Sequence, residues 1–174
     1  MVDLIRSPKS SSDWTTHELL AYNIRVSSQT PDQFYGRPLP TATRLSSLDP
    51  HLLSGTLSTE GLSEETLRLL QYLDLASRAN AGQDSAIADF ASEILRVLGY
   101  ETRGLLLRSR YAIPLLICGD SNQSAQADVC LIRSLSTILL VVQGDKTTTS
   151  AHDPEPQVIA GAIAAFQHNN RTRA

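Results

Sequence analysis

The feature that most constrains the fold is a pair of apolar runs within residues 125–146, AQADVCLIRSLSTILLVVQGDK. The first run starts at Asp128, and the second, at 137–142, is followed by the polar residues QGDK. Each run has the length of a β-strand, and the residues RSLS between them suit a tight turn. Because the second run is apolar throughout, we expect it to be a central strand buried on both faces.

Helical patterns flank these strands. The residues SEE at 63–65 are typical of a helix start, and an apolar pattern continues to about residue 79. A second helix is predicted over 84–98, with Glu93 at the border of its apolar stripe, and a last helix over 154–168. Two further strand-like runs lie at 105–108 and 112–118. The order predicts an α/β fold in which helices flank a small mixed central sheet.

The chain divides into three predicted parts. Residues 1–12 are polar and are expected to be a disordered tail. Residues 13–82 form an N-terminal helical arm, with a short helix over 13–26 that starts at Asp13 and a stretch rich in Pro and Gly over 27–62. We expect short helical turns near Asp49 in that stretch. Residues 83–174 form the α/β core.

The composition bounds the classes of function. A net charge of −3 and a pI near 5.8 indicate no global basic field, so nucleic-acid binding would need a local basic patch. The chain has no apolar run of 18 residues and no signal-peptide pattern at its start, so we expect no membrane association and an intracellular, cytoplasmic or nuclear location. We expect Cys118 and Cys130, which lie in apolar runs, to be buried reduced thiols.

The candidate site combines Asp128, Lys146 and Glu93. A magnesium-dependent nuclease needs hard oxygen ligands for the metal and a cation near the attacking water and the scissile phosphate. Asp128 would hold the metal, Glu93 would assist as a second ligand, and Lys146 would position the water. Each residue alone is more often a solvated surface group, so the order of all three carries the hypothesis. Three arginines near the first strands either contact phosphates or form a solvated face: Arg103, Arg108 and Arg110.

Over roughly residues 83–168 this pattern resembles the PD-(D/E)XK nuclease superfamily, which has the restriction-endonuclease-like fold. It is also similar to a group of uncharacterised fungal proteins whose third strand ends in VQEDK. The resemblance implies that Asp128 lies on the second core strand, that Lys146 follows the third, and that Gln157 is a supporting polar residue at the start of the last helix. It also implies Mg²⁺ or Mn²⁺ as the cofactor of an active protein, and nucleic acid as its substrate.

The chain departs from the superfamily pattern at two points. Gly144 stands where the second carboxylate of the motif is expected. The neighbours Gln143 and Asp145 would point to the other face of a regular strand, unless a bulge re-aims them. The superfamily core also has a further strand after the last helix, whereas Ala174 follows that helix closely. We therefore expect a truncated chain, a trimmed fold, or a sheet that a partner chain completes.

Three hypotheses follow from the sequence. The first is a metal-dependent nuclease lineage with an altered metal site. The second is a non-catalytic module that binds nucleic acid or protein through the same fold. The third is an assembly protein that forms a homodimer through an open sheet edge.

Overall fold

A computed structural model describes residues 5–38, 61–78, 84–134, 136–142 and 153–171. The α/β class expected from the sequence is confirmed. None of the described helices is long and apolar enough to cross a membrane. The described elements are, in chain order, a 3₁₀ turn at Ser11–Asp13, helices α1 (Thr16–Ala21), α2 (Pro31–Tyr35), α3 (Glu64–Ser77) and α4 (Asp84–Val97), strands β1 (Leu105–Ile117), β2 (Asp120–Arg133) and β3 (Thr137–Val142), and helix α5 (Glu155–Arg171).

The described strands form one antiparallel sheet in the order β1-β2-β3, whereas we expected a mixed sheet. The predicted runs at 105–108 and 112–118 belong to the single strand β1, and β2 begins at Asp120 instead of Asp128. The hairpin turns at Cys118 and Gly119, whose φ angles are 51° and 79°. The mainly polar residues 123–126, which lack an apolar strand pattern, pair with β1 along a long hairpin.

The central strand of the described sheet is β2, so the prediction that the run at 137–142 is central was wrong. All four residues of β2 from Val129 to Ile132 are buried, whereas Leu139 of β3 is 41% exposed. Both runs are apolar throughout, and their composition does not say which one has two neighbours. The strand that is buried on both faces is therefore β2, which carries Asp128.

The β1–β2 hairpin changes faces near Arg110. Leu107 and Val129 pack in the cluster formed with α4, whereas Ile113 joins the cluster that α5 covers. A regular strand would keep the odd-numbered residues of β1 on one face. Arg110 has a φ of 51°, in the left-handed region, and the strand register sets Asp128 opposite it. The change of face therefore coincides with the position of the candidate carboxylate.

Several predicted helix boundaries are confirmed. Ser63 precedes α3, and its Oγ accepts a hydrogen bond from the backbone N–H of Thr66 at 3.2 Å. Helix α4 begins at 84, as expected. The sequence also predicts an apolar face at Leu67, Leu70, Leu73 and Leu75 of α3, but Leu69 is buried while Leu73 and Leu75 are each 42% exposed.

The N-terminal segment lies against the core, although we expected residues 1–12 to be disordered. Ser11 is only 2% exposed. Ser10 Oγ donates a hydrogen bond to Gln123 Oε1 at 3.0 Å, which ties the segment to β2. Trp14 is 4% exposed and packs in a cluster with Ala160 of α5. The predicted helical turns near Asp49 lie outside the described residues.

Helix α1 starts after Thr15, not at Asp13. Thr15 and Glu18 form a capping box. Thr15 Oγ1 accepts a hydrogen bond from the backbone N–H of His17, and Glu18 Oε2 accepts one from the backbone N–H of Thr15. Glu18 is 6% exposed and also forms an ion pair with Lys9 Nζ at 2.5 Å. These contacts hold the N-terminal segment and α1 together.

Two amides near the end of α5 bind the sheet backbone. Gln167 Nε2 donates to the carbonyl of Leu116 in β1, and its Oε1 accepts from the N–H of the same residue, both at 2.9 Å. Asn169 makes the same pair of bonds with Ile138 in β3, at 2.8 and 2.7 Å. A strand added by a second copy at either position would have to displace an amide, and the homodimer stays a prediction.

The two cysteines should differ in reactivity. Cys118, at the hairpin turn, is exposed and not buried as expected, whereas Cys130 is buried. Burial raises the pKa of the Cys130 thiol to about 11. We expect the folded chain to expose one fast-reacting thiol to an aromatic disulfide reagent, and Cys118→Ser to abolish that phase while Cys130→Ser keeps it. Fast reaction of both thiols in the folded chain would contradict the structure.

Glu18 should make stability depend on acid pH. Burial alone would raise the pKa of Glu18, but hydrogen bonds from Lys9 and Thr15 outweigh it and lower the pKa from 4.5 to about 2. The stabilisation is therefore complete above pH 4.5 and is lost as the pH falls toward about 2. Urea unfolding should give Glu18→Gln a lower free energy of unfolding than the unsubstituted chain at neutral pH. The gap between the two free energies should shrink as the pH falls from 4.5 toward about 2. Asp13→Asn, at an exposed position, is the control, and a pH-independent difference for Glu18→Gln would refute the assignment.

Candidate functional site

Asp128 lies at the middle of the sheet. It is half-buried on β2, the strand with neighbours on both sides. The adjacent residue Val129 pairs with Val142, the last described residue of β3. The strand that leads to Lys146 therefore runs beside Asp128 up to the limit of the described residues. Lys146 and Gly144, with the neighbouring Gln143 and Asp145, lie outside those residues.

Asp128 lines a polar cavity of about 400 Å³, which we call the Asp128 cavity. It lies where the β1–β2 hairpin, at Arg110 and Asp128, meets the 3₁₀ turn, α4 and the first turn of α5. Hydroxyl, amide, guanidinium and carboxylate groups surround it. Its lining residues are Ser10, Ser11, Ser12, Ala88, Arg110, Ser124, Gln126, Asp128 and Gln157.

Gln157, which the family resemblance suggested as a supporting residue, lines this cavity together with Asp128. It is the third residue of α5. The helix start is held by Asp153, whose carboxylate accepts a hydrogen bond from the backbone N–H of Glu155 at 3.0 Å. Pro156 beside it is buried, which anchors the first turn against the core. The side chain of Gln157 is thus carried by a well-anchored helix end.

Glu93 has a different environment from Asp128. Its side chain is buried, with 1% of the residue exposed. Its Oε1 accepts a hydrogen bond from Arg68 Nε of α3, and its Oε2 pairs with Arg96 one turn further along α4. Glu93 lines a separate cavity of about 180 Å³, together with Tyr72, Asp89, Ser92, Arg96, Leu107 and Ser109.

The arginine pair changes what Glu93 can do chemically. Both carboxylate oxygens accept a charged hydrogen bond from a guanidinium group, and Arg96 also pairs with Glu101 at 2.9 Å. A divalent cation at this carboxylate would meet repulsion from both arginines. In this arrangement Glu93 joins α3 to α4, and its predicted role as a metal ligand would require the arginines to move. Among the described residues, no group of three His, Cys, Asp or Glu side chains converges as a metal site.

The arginines near the first strands separate into different environments. Arg110 lines the Asp128 cavity, whereas the Arg108 guanidinium lies over the ring of Tyr111 at 5.2 Å from its centroid. Within the described part of the chain, the side chain of Arg110 has no ion pair or hydrogen bond. Alternation along a strand could not separate Arg108 from Arg110, because it places both on one face. The left-handed backbone at Arg110 is what separates them.

Ser10, Ser11 and Ser12 are the functional candidates that the sequence reasoning missed. They lie far from Asp128 along the chain and within a segment that we expected to be disordered. The only sequence signal was Trp14, a large apolar residue that follows the serines and anchors them to α5. A long-range contact of this kind leaves no periodic pattern in the sequence.

Comparisons of the chain with models of known protein families, with curated proteins and with solved structures find no match. The resemblance to the PD-(D/E)XK superfamily therefore stays a prediction from the residues themselves.

The ion pairs of Glu93 with Arg68 and Arg96 predict that a substitution at Glu93 lowers the stability of the fold. Glu93→Gln removes the negative charge between Arg68 and Arg96 and should lower the free energy of unfolding by roughly 1–3 kcal/mol, because it weakens charged hydrogen bonds whose acceptor is buried. Asp89→Asn is the matched control, since Asp89 lines the same cavity but is exposed. Urea unfolding without divalent metal makes the measurement. Equal, small effects of the two substitutions would contradict the structural role of Glu93.

Proposed function

We propose that the chain is a nuclease-fold protein of the PD-(D/E)XK type, from a lineage of metal-dependent nucleic-acid phosphodiesterases, with an altered metal site. One observation carries the proposal. Asp128 lies on the central strand, beside the end of β3, in a sheet with α4 on one face and α5 on the other. The order helix, three strands, helix agrees with the order that the resemblance implies.

The lining of the Asp128 cavity suits a hard divalent cation at Asp128. Mg²⁺ and Mn²⁺ prefer oxygen ligands, and the cavity offers a carboxylate with the amide and hydroxyl oxygens around it. The Arg110 guanidinium also lines the cavity and would weaken the binding of a cation close to it. A bound cation would polarise a phosphodiester and lower the pKa of a water molecule. Asp128 would hold the cation, Gln157 would orient a water or a phosphate oxygen, and Lys146 would stabilise the negative charge that develops during hydrolysis.

Gly144 weakens this site in the proposal. A glycine supplies no carboxylate, so the cation would be held by one fewer negative charge than the superfamily motif provides. Glu93 does not fill the gap in the described arrangement, because its oxygens are bound to Arg68 and Arg96. The natural chain would therefore hydrolyse nucleic acid slowly or not at all, while it keeps the cavity.

The second candidate function is a non-catalytic module that binds nucleic acid or protein. The pairing of Glu93 with two arginines favours it, since a carboxylate that supports catalysis would be expected to face the metal. A cavity with a guanidinium and several hydroxyls can hold a ligand without cutting it. Restoration of the missing carboxylate separates the two candidates.

We expect Gly144→Glu to create or raise nuclease activity, because it restores the second carboxylate of the motif. The natural chain and the variant would be incubated with single- and double-stranded DNA and RNA, with Mg²⁺, Mn²⁺ or EDTA, and the products resolved on denaturing gels. Adding Asp128→Asn to Gly144→Glu should reduce cleavage by roughly 100-fold or more, since even outer-shell partners of a metal site are worth about 10–100-fold.

The controls decide the origin of any cleavage. Activity that survives Asp128→Asn belongs to another site or to a contaminating nuclease, and it would overturn the proposed site. Cleavage by the natural chain at the level of the variant would show that Gly144 is not the lesion. A Gly144→Glu chain that is folded, binds nucleic acid and does not cut would favour the non-catalytic module.

A further inference from the structure

The Asp128 cavity contains several hydrogen-bond donors that have no partner in the described part of the chain. The side chains of Arg110, Gln157 and Ser11 all line it, and none of the three makes a hydrogen bond to another described side chain or backbone group. Ser11 is 2% exposed. A buried hydroxyl without a partner is costly, which indicates that the cavity binds a group able to accept hydrogen bonds.

The backbone at Arg110 is unfavourable for an arginine. A φ of 51° is common for glycine and asparagine, but it costs a residue with a longer side chain about 1 kcal/mol or more. The left-handed conformation changes the face of β1 and leaves the guanidinium at the cavity, apart from Arg108. The position therefore combines a strained backbone with an exposed cation that has no described ion-pair partner, as ligand-binding positions often do.

The serines of the 3₁₀ turn are held firmly in place. Ser10 Oγ bonds to Gln123 and accepts a hydrogen bond from the backbone N–H of Ser124 at 3.3 Å. Trp14 anchors the other side of the turn in a buried cluster. The hydroxyls of Ser11 and Ser12 thus lie on a segment that is fixed at both sides, which lowers the entropic cost of binding a ligand.

We propose that Arg110, Gln157, Ser11 and Ser12 form a binding site for a phosphate group. A guanidinium presents up to five donors in a planar fork that matches phosphate oxygens, and the hydroxyls and the amide add further donors. A free cation at these four residues would be repelled by Arg110, whereas a phosphate would supply negative charge to a guanidinium that has no ion pair in the described part of the chain. The carboxylate of Asp128 lines the same cavity and would oppose a phosphate placed close to it. The source of the phosphate, as part of nucleic acid, rests on the proposed function, but the site itself does not.

The site can be tested without metal and without cleavage. The full chain, labelled with ¹⁵N, would be titrated in EDTA at constant ionic strength with inorganic phosphate and with a short single-stranded oligodeoxynucleotide. We expect saturable NMR shifts at Ser11, Ser12, Arg110 and Ser124, with little change at Arg108. Binding of both probes indicates recognition of phosphate in general, and binding of the oligonucleotide alone indicates a nucleic-acid backbone.

Arg110→Asn is the main variant, because asparagine tolerates the left-handed backbone and carries no charge. It should weaken binding at least about 10-fold, as expected for the loss of a charged hydrogen bond. Arg108→Gln, on the same strand but stacked on Tyr111, should change binding less than about 3-fold. Ser12→Ala, at an exposed position, provides a second test that does not threaten folding and should also weaken binding.

Two results would overturn the site. One is the absence of saturable shifts with either probe. The other is an equal loss of binding in Arg110→Asn and Arg108→Gln, which would indicate non-specific attraction to positive charge. Neither result depends on whether Gly144→Glu cuts nucleic acid, so a failure of this site and a failure of the proposed function remain distinguishable.

Discussion

The structure depends on the burial of both faces of β2. Four consecutive residues, from Val129 to Ile132, are buried; Val129 packs in the α4 cluster, whereas Cys130 and Ile132 pack in the α5 cluster. A strand in this position brings each residue close to two neighbouring strands and to a helix on one side. Asp128 directly precedes the buried run and is half-buried at its border. Asp128 therefore borders the fully buried part of β2, while it still lines the polar cavity.

The two carboxylates of the candidate site have contrasting environments. Asp128 shares its cavity with hydroxyls and amides, whereas Glu93 is neutralised by arginines from α3 and from its own helix. Arg68 and Arg96 are each about half exposed, at 48% and 46% of their side chains, so water screens them more than it screens Glu93. The ion pairs therefore act as a link between α3 and the sheet-covering helix α4. Glu93 thus adds an ionic link between α3 and α4 to the apolar contact of the buried Leu69.

Local signals in the sequence predicted helix starts better than they predicted the sheet. Ser63 before two glutamates is a cap that acts within one turn, and the structure has that cap. The polar half of β2 was missed because its partner is the other arm of the hairpin, and pairing of that kind does not need apolar residues. The order of Asp128 and the β3 run was readable, since each lies in its own apolar stretch. The edge position of β3 in the described sheet could not be predicted, because the number of strands beside it depends on the whole sheet.

The candidate site shows the same division. Asp128 was proposed from its place in the strand pattern and Gln157 from the family resemblance, and both line one cavity. The burial of Glu93 was not predicted, because its partner Arg68 comes from another helix and no periodicity within α4 reveals it. Arg110 differed from Arg108 only through one backbone angle. Sequence patterns describe neighbours along one helix or strand, whereas contacts between different elements determine the environments of these side chains.

The amides of Gln167 and Asn169 have a consequence for how the chain is made. They bind the backbone of β1 and β3, yet they follow both strands by many residues. During synthesis from the N-terminus, the hairpin and β3 leave the ribosome before the end of α5 is available. Over that interval the backbone groups of Leu116 and Ile138 lack these partners, and the nascent sheet can pair with other strands. The last turns of α5 therefore act as a late protecting element, and the yield of native protein should depend on how promptly they dock.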